Sequence, residues 1–94
     1  LMQTPLIFDD LRAFVALAQS DSISKAAVKL RIAQPALSRR LMRLERCIGT
    51  PLIERHAHGI TLTQAGHAFF ESADRAVSMV AVLERNLQSF AQGH

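Results

Sequence analysis

The stretch that decides the fold is SKAAVKLRIAQPALSRRLMRLERC, residues 24–47. Residues 25–30 predict a short helix, residues 31–33 a break, and residues 34–47 a longer second helix. Pro35 suits the first turn of the second helix, because its missing N–H would have no helical partner there anyway. Two short helices joined by a tight turn predict a helix-turn-helix.

The second helix has two distinct faces. One is an apolar stripe at helical spacing, which predicts burial against a core: Leu37, Leu41, Leu44 and Ile48. The opposite side, at about 100° of rotation per residue, carries Pro35, Arg39, Met42, Arg43 and Arg46, with Ser38 at its border. A second helix that buries one face and presents arginines on the other fits the recognition helix that a helix-turn-helix places in the DNA major groove.

Positive charge is concentrated in the same part of the chain. The 94 residues carry a formal net charge of +3 at pH 7. Residues 31–58 contain six arginines and two glutamates, a surplus of four positive charges, whereas residues 1–30 balance and residues 59–94 have one surplus negative charge. This asymmetry predicts a polyanionic partner. The planar fork of arginine suits phosphates and guanine edges better than the point charge of lysine does.

Length and composition set the broad class. A chain of 94 residues, 49% of them hydrophobic, is one domain plus an extended element, and it can form a small core without disulfides. The single cysteine, Cys47, leaves no internal disulfide and indicates a reducing, cytoplasmic location. Its place beside the apolar stripe favours packing over reactivity. No apolar run approaches membrane-spanning length.

The residues before the motif predict one more helix. Residues 1–8 are interpreted as a tail, and Asp9 or Asp10 is predicted to cap a first helix that ends near Gln19. Ser24 is predicted to cap the first helix of the motif. The inward face of the first helix follows from its apolar spacing: Leu11, Phe14, Val15 and Ala18.

A short hairpin is predicted after the motif. Gly49 supplies a left-handed stop to the second motif helix, and Pro51 prevents the helix from resuming. Residues 52–55 and 59–62 are strand candidates, which together predict a hairpin of the size called a wing. The expected turn is longer than the two-residue loops that give the strongest hairpin signal.

A long helix is predicted at the end of the chain. Thr63 caps a helix over residues 64–91, with Gly93 beyond its end, and a helix of this length spans roughly 42 Å. Its apolar residues form a heptad seam of three repeats: Phe69, Ala73, Ala76, Val80, Leu83, Leu87 and Phe90. A domain of about sixty residues offers too little surface to bury this seam, so a partner chain is expected. The alternative is one helix that covers the core of a monomer, which its length alone allows.

Together these segments resemble the DNA-binding region of LysR-type transcriptional regulators. The shared pattern is SxxxAAxxLxxxQPALSRxxxxLExxxGxPLxxR…GxxLTxAG, which is long and ordered and therefore far more specific than an isolated helix-turn-helix signal. The match is close over residues 8–72 and continues as the family's linker helix over residues 73–91. The resemblance implies a mainly α fold: a winged helix-turn-helix of three helices plus a short β-hairpin over residues 8–63, then a long dimerising linker helix over residues 64–91.

The resemblance also implies roles for individual residues. In this family the start of the recognition helix reads bases in the major groove, the first motif helix touches the DNA backbone, and a basic wing residue lies at the minor groove. In this sequence the implied DNA-binding residues are Ser24, Lys25, Gln34, Pro35, Ser38, Arg39, Arg43 and Arg55. The linker helix pairs two subunits, so the implied dimerisation residues are Phe69, Ala73, Ala76, Val80, Leu83, Leu87 and Phe90.

The resemblance further implies the partners. They are a double-stranded DNA operator with an interrupted dyad and a second copy of the chain, and tetramers are suggested for the full-length protein. Family members continue after the linker helix into an effector-binding domain, which these 94 residues do not contain. No cofactor is therefore expected here, and a small-molecule co-inducer is expected only for the effector domain. The expected function is sequence-specific DNA binding as the dimeric DNA-binding portion of a bacterial regulator.

The sequence departs from the family pattern at a few positions. Ala33 stands where a capping serine is common, and the loss of such a cap typically costs about 1 kcal/mol. Ile23 and Ile53 replace frequent aromatic residues, and His56 follows Arg55 where small or polar residues are usual. These changes affect packing and wing contacts and leave the family resemblance intact.

Other functions fit the sequence less well. His56, His58 and His67 are candidate metal ligands, but no cysteine or carboxylate joins them at structural-zinc spacing. Exposed wing histidines near phosphate fit better, and they would make binding sensitive to pH near neutrality. An enzyme would need a nucleophile with a positioned base, whereas Ser38 lies among arginines. A purely structural dimerisation module would explain the seam and leave the arginine face without a purpose.

The roles of two arginines stay open at this point. Arg46 either pairs with Glu45 or Glu54 or follows the DNA backbone. Arg40 lies closer to the buried stripe and is interpreted as a rim residue.

Overall fold

The computed structural model describes residues 6–93 as four helices with one two-stranded hairpin. The order of elements is α1 (Phe8–Ser20), α2 (Ile23–Leu30), α3 (Gln34–Ile48), β1 (Ile53–His56), β2 (Gly59–Leu62) and α4 (Gln64–Ala91). The mainly helical winged helix-turn-helix expected from the sequence is confirmed. Of the predicted tail, residues 1–5 lie outside the described part of the chain. Over residues 6–93, none of the helices is long and apolar enough to cross a membrane.

The core lies where α1, α2, α3 and the first half of α4 meet. In α1, residues 13–17 are buried in succession, and Phe14 is fully enclosed. α3 contributes the predicted stripe: Ile48 is partly buried against the core, and three leucines are buried within it, Leu37, Leu41 and Leu44. Helices this short are marginal alone in water, so the shared burial of apolar surface is what stabilises them.

The tight turn between α2 and α3 is closed by a left-handed residue. Arg31 has a φ of 58°, and its N–H donates to the Val28 carbonyl at 3.1 Å. The Ile32 N–H donates to the Ala27 carbonyl, also at 3.1 Å. This pair of bonds is a Schellman motif, in which the left-handed residue is usually glycine. Ala33 then precedes α3 without a side-chain cap, as its sequence position predicted.

The predicted cap of α2 is wrong by two residues. Ser22, and not Ser24, accepts the capping hydrogen bond, from the Lys25 N–H at 3.3 Å. The run SDSIS at residues 20–24 offers several residues that can cap a helix. Asp21 takes the left-handed position that ends α1, with a φ of 54°, which makes Ser22 the next candidate. Ser24 is thereby free for another contact.

The predicted cap of α1 is also wrong. Ile7 occupies the cap position and makes no side-chain cap bond, so neither aspartate caps the helix. Asp9 and Asp10 both lie in the first turn, where the positive end of the helix dipole favours acidic groups. Asp10 is only 2% exposed, so its carboxylate needs a partner inside the protein.

The wing is a tighter hairpin than predicted. β1 and β2 pair antiparallel over their whole length, which leaves a loop of only Ala57 and His58. These residues lack the Asn-Gly type of signal that usually marks a two-residue loop. Gly59 has a φ of 127°, and a Cβ on it would lie 2.8 Å from the Asp21 carbonyl oxygen. The wing therefore lies close against the end of α1, and a larger residue at position 59 would push it away.

One short segment joins α3, the wing and α4. The Leu52 N–H donates to Glu45 Oε2 of α3 at 2.7 Å, and the Leu52 carbonyl accepts from the Thr63 N–H at 3.0 Å. Thr63 is the predicted cap of α4: its hydroxyl accepts from the Gly66 N–H at 3.0 Å and donates to the Pro51 carbonyl at 2.8 Å. Gly66 is buried, and a Cβ on it would overlap the Leu52 carbonyl oxygen. The start of α4 is therefore fixed against α3.

α4 has the predicted bounds and extends well beyond the core. The rings of Phe69 and Phe70 pack on Phe14 of α1, with centroid distances of 5.6 and 6.4 Å. Ala73 is buried in the same cluster. From position 82 to position 93, every residue is exposed. The alternative of a helix that covers the core of a monomer therefore describes only the first half of α4.

Candidate nucleic-acid interface

The side of α3 that faces away from the core carries the predicted base-reading residues. Gln34, Pro35 and Arg39 are exposed, and Ser38 is half-buried at the border of the helix face. Arg40 is half-buried, in agreement with its prediction as a rim residue. Because the buried leucine stripe fixes the rotation of α3, the core also sets the direction of these polar side chains.

A first contact joins this side of α3 to α2. Gln34 Nε2 donates to Ser24 Oγ at 3.2 Å, and both side chains are exposed. Ser24 can make this contact because Ser22 caps the helix in its place. The bond restricts the rotamers of Gln34 in the free protein, so less conformational entropy is lost when Gln34 contacts a base.

A second contact joins α3 to the wing. Arg55 Nη2 on β1 donates to Ser38 Oγ on α3 at 3.3 Å. The predicted wing residue and a predicted recognition-helix residue are thus neighbours on one surface. We name this surface, to which α2, α3 and β1 all contribute, the polar face, and define it by Ser24, Gln34, Ser38, Arg39 and Arg55.

A third contact joins α3 to α1, and the sequence did not predict it. Arg43 Nε donates to Asp10 Oδ2 at 2.8 Å, and Arg43 Nη2 donates to Asp10 Oδ1 at 2.7 Å, which makes a bidentate pair. The Asp10 side chain is 2% exposed and the Arg43 side chain 43% exposed. The pKa of Arg43 is raised above its usual value by its hydrogen bond to Asp10 and by the charge of Asp10, with a smaller effect from the charge of Asp9. Partial burial opposes these effects.

This pair changes the interpretation of Arg43. The sequence placed Arg43 on the outward side of α3 as one arginine among several, whereas one edge of its guanidinium is bound to a buried carboxylate. Its contact with DNA stays a prediction. The two residues are 33 positions apart, and neither belongs to a local pattern that would indicate the other. Asp10 is therefore a residue of this region that sequence reasoning missed.

Lys25 and Arg46 are two further basic residues of the helix-turn-helix. Lys25 is exposed, and its Nζ lies 4.0 Å from Asp21 Oδ1. The two side chains are 73% and 81% exposed, so this ion pair contributes little to stability and leaves Lys25 available. Arg46 is exposed as well. Glu45, one of its suggested partners, instead accepts hydrogen bonds from the backbone N–H groups of residues 52–53.

The three histidines and the cysteine were the other candidate functional residues. His56, His58 and His67 are all exposed. Among residues 6–93, no three side chains of His, Cys, Asp or Glu come together in a way that could hold a metal ion. Cys47 is buried, in agreement with its predicted packing role. What the polar face presents is hydrogen-bond donors and positive charge.

The predicted dimerisation residues fall into two groups. Phe69 and Ala73 make their main contacts inside the chain, since Phe69 packs on Phe14 and Ala73 is 2% exposed. The others lie farther along α4, where Leu83, Leu87 and Phe90 are 55%, 62% and 82% exposed. Met79, which is not one of the predicted dimerisation residues, is 68% exposed and precedes Leu83 by one helical turn. We name this second group, with Met79, the exposed stripe and define it by Ala76, Met79, Val80, Leu83, Leu87 and Phe90, of which all but the half-buried Val80 are exposed.

The fold matches solved structures. The crystal structure of the BenM DBD/catB site 1 DNA complex is 38% identical, with a TM-score of 0.83 over 95% of this chain and 100% of that chain. Corynebacterium glutamicum OxyR in its oxidized form is 30% identical, with a TM-score of 0.88 over 90% of this chain and 28% of that chain.

Sequence comparison gives the same result. The HTH-type transcriptional regulator BudR from Raoultella terrigena is 40% identical over 83 residues, which are 88% of this chain and 29% of BudR. The chain thus spans less than a third of the length of this relative, which is named as a regulator and not as an enzyme. The model of the family described as "Bacterial regulatory helix-turn-helix protein, lysR family" matches residues 8–67. The chain therefore belongs to the LysR family of bacterial helix-turn-helix regulators.

Proposed function

We propose that this chain binds double-stranded DNA sequence-specifically, as the dimeric DNA-binding portion of a LysR-type transcriptional regulator. α3 enters the major groove as the recognition helix, and the β1–β2 wing lies at the minor groove. The observation that carries the proposal is the polar face, on which side chains of α2 and β1 bond to α3 and Arg39 of α3 is exposed. The BenM structure that the chain matches is a DNA complex, which supports the proposal.

Base reading falls to three residues of the polar face. Arg39 is exposed near the start of α3, where its fork suits the O6 and N7 acceptors of guanine. Gln34 suits the N6 and N7 edge of adenine, and the Ser38 hydroxyl can donate or accept. The contacts from Ser24 and Arg55 hold Gln34 and Ser38 in place before DNA arrives, so less conformational entropy is lost on binding.

Two basic residues, Lys25 and Arg55, bind DNA phosphates in this proposal. Lys25 at the start of α2 and Arg55 on the wing are both exposed. Each phosphate that they neutralise releases condensed counterions, so affinity falls as salt rises. These contacts position the protein on the duplex, and the base contacts select the sequence.

Dimerisation falls to the exposed stripe of α4. An apolar side chain such as Phe90, which is 82% exposed, gains little from water and much from a partner surface. The stripe keeps heptad spacing, so a second copy of α4 offers a complementary surface. Two linked recognition helices then bind two half-sites of an interrupted dyad, and the second contact forms at high effective concentration.

The parts of the regulator beyond this chain follow from its relatives. BudR is more than three times as long as the stretch that the chain matches, since that stretch is 29% of it. This supports further regulator sequence outside these 94 residues. In our proposal that sequence forms an effector-binding domain, which takes a small-molecule co-inducer and joins dimers into tetramers. A transcriptional regulator of this kind acts in the cytoplasm.

Selection from a random duplex pool at about physiological salt tests the proposal, because unspecific phosphate attraction is damped there. The unmutated chain, Arg39→Ala and Arg85→Ala are compared. Arg85 is an exposed arginine of α4 away from the polar face, so its variant loses the same charge without a base contact. We expect the unmutated chain and Arg85→Ala to enrich an interrupted dyad, and Arg39→Ala to lose about 1–3 kcal/mol of discrimination. Equal affinity of the unmutated chain for selected and scrambled duplexes would contradict the proposal and favour a dimerisation module.

A further inference from the structure

Within residues 6–93, the Arg43 side chain is held on one edge, by the buried carboxylate of Asp10. Its Nε and one Nη2 hydrogen point to Asp10, at 2.8 and 2.7 Å. Because the guanidinium is planar and rigid, these two bonds also fix the direction of Nη1 on the far edge. Asp10 is 2% exposed and Arg43 43% exposed, so the carboxylate lies inside the protein and the far edge of the guanidinium outside.

The outer edge of Arg43 lies beside the polar face. Arg43 follows Arg39 by one turn of α3, on the same side of the helix, and exposed Arg46 follows it. Residues near the start of a recognition helix contact bases. Later residues on the same side lie nearer to the strands that border the groove, so a phosphate is the group that the outer edge of Arg43 can reach.

We infer that Asp10 is a positioning residue of the DNA interface, whose buried carboxylate directs the outer edge of the Arg43 guanidinium toward a DNA phosphate. The inference rests on the proposed function, because the phosphate belongs to the duplex bound at the polar face. No bond or proton is exchanged in this contact. The benefit is that a long side chain is already ordered when DNA arrives, so its rotamer freedom is not lost in the binding step.

Asp10 has two opposing effects on a polyanion, and this makes the inference testable. Its negative charge repels DNA, so an effect of charge alone predicts that Asp10→Asn tightens binding. Its two hydrogen bonds order Arg43, so a positioning role predicts that Asp10→Asn weakens binding. An asparagine has nearly the same shape but can accept only one of the two bonds. The sign of the change therefore separates the two roles.

The experiment measures the affinity of the whole chain for a mixed-sequence duplex of about 20 base pairs over a range of salt concentrations, because phosphate contacts do not depend on sequence. We expect Asp10→Asn to bind about threefold to tenfold more weakly, the factor that corresponds to ordering one long side chain on binding. The matched control is Asp9→Asn, which removes the same charge one residue away. The Asp9 side chain is 53% exposed and lies 4.0 Å from Arg12, so this control binds equally well or more tightly.

A second substitution separates positioning from a general effect on folding. In an Arg43→Gln background, Asp10→Asn has no guanidinium left to release, so we expect it to leave affinity unchanged or to raise it. Arg43→Lys keeps the charge but replaces the fork with one ammonium, and we expect weaker binding with a salt slope that falls by about 1. Thermal unfolding followed by circular dichroism identifies the folded variants. Titration with excess duplex gives the fraction of each that is active.

The outcomes separate this inference from the proposed function. Absence of salt-dependent duplex binding by the unmutated chain would overturn both. Normal binding by the unmutated chain, with Asp10→Asn equal to Asp9→Asn, would overturn only the positioning role. If Asp10→Asn does not fold, the decision passes to Arg43→Lys: an unchanged affinity and slope in that variant would overturn the inference, and a lower slope would support it.

Discussion

The two halves of α4 have the same heptad spacing and opposite surroundings. In the first half, Phe69 and Ala73 are packed against α1 and the rest of the core. In the second half, Leu83, Leu87 and Phe90 occupy equivalent positions of the repeat and are 55% to 82% exposed. The same periodicity thus produced a buried face at one end of a continuous helix and an exposed one at the other.

The difference shows what a heptad pattern does and does not determine. Spacing determines that apolar side chains share one face of a helix, because it depends only on helical geometry. What covers that face depends on where the rest of the chain lies. The cap at Thr63 and the close approach at Gly66 fix the start of α4 against residue 52, so the first half reaches α1. The second half extends past the last element that could cover it.

The largest effect on stability is expected when the aromatic contact that holds the first half of α4 is removed. Phe14→Ala removes a fully buried ring that packs on both Phe69 and Phe70, and we expect a loss of about 3–5 kcal/mol in the free energy of unfolding. Urea denaturation at protein concentrations where the chain is monomeric measures it. The matched control is Phe90→Ala, which should change the unfolding free energy of the monomer by less than about 0.5 kcal/mol. A similar loss in both variants would show that the two halves of α4 are equally packed within one chain.

A smaller loss of stability is expected when a single methyl group is added at the start of α4. Gly66→Ala places a Cβ where the Leu52 carbonyl oxygen lies, so either α4 or the segment before β1 must move. We expect a cost of about 1–3 kcal/mol, typical of overpacking in a core. Ser72→Ala, at an exposed position of the same helix, is the control and should be nearly neutral. If Gly66→Ala proved as stable as the unmutated chain, the close docking of α4 on residue 52 would be disproved.

The smallest effects are expected from two helix caps, with opposite signs. Thr63→Ala removes the hydroxyl that accepts from the Gly66 N–H, and we expect it to destabilise the chain by about 1 kcal/mol. Ala33→Ser adds a hydroxyl at the cap position of α3, which has no side-chain cap, and should stabilise by about 0.5–1 kcal/mol. Differential scanning calorimetry compares the two melting temperatures. Shifts of the same sign would mean that capping does not control the ends of these helices.

Much of the fold could be predicted from the sequence because its signals are local. The leucine stripe of α3, the break at residues 31–33 and the bounds of α4 follow from spacing and from capping residues within a few positions of each other. The errors are local ambiguities of the same kind. Ser22 and Ser24 both suit a cap, and the loop at Ala57 lacks a turn signature, so either choice was compatible with the sequence.

The sequence predicted which residues belong to the candidate site, but not the contacts between them. The exposure of Gln34 and Arg39 follows from helical rotation, which the sequence contains. The bond from Arg55 to Ser38 and the bidentate pair between Arg43 and Asp10 join residues 17 and 33 positions apart. Such contacts depend on how α1, α3 and the wing pack together, which no short pattern encodes. The contacts made in dimerisation and DNA binding are not encoded by short patterns either, because they depend on molecules outside the chain.

The most direct test compares the affinities of three forms of the chain for a selected dyad and for one half-site. These are the unmutated chain, Leu83→Asp in the exposed stripe, and Ser78→Asp at an exposed position on the opposite side of α4. We predict that the unmutated chain and Ser78→Asp prefer the dyad by at least about a hundredfold, the gain expected from a linked second contact. Leu83→Asp should bind both duplexes with the same low affinity. An undiminished preference for the dyad in Leu83→Asp would contradict dimerisation through the exposed stripe.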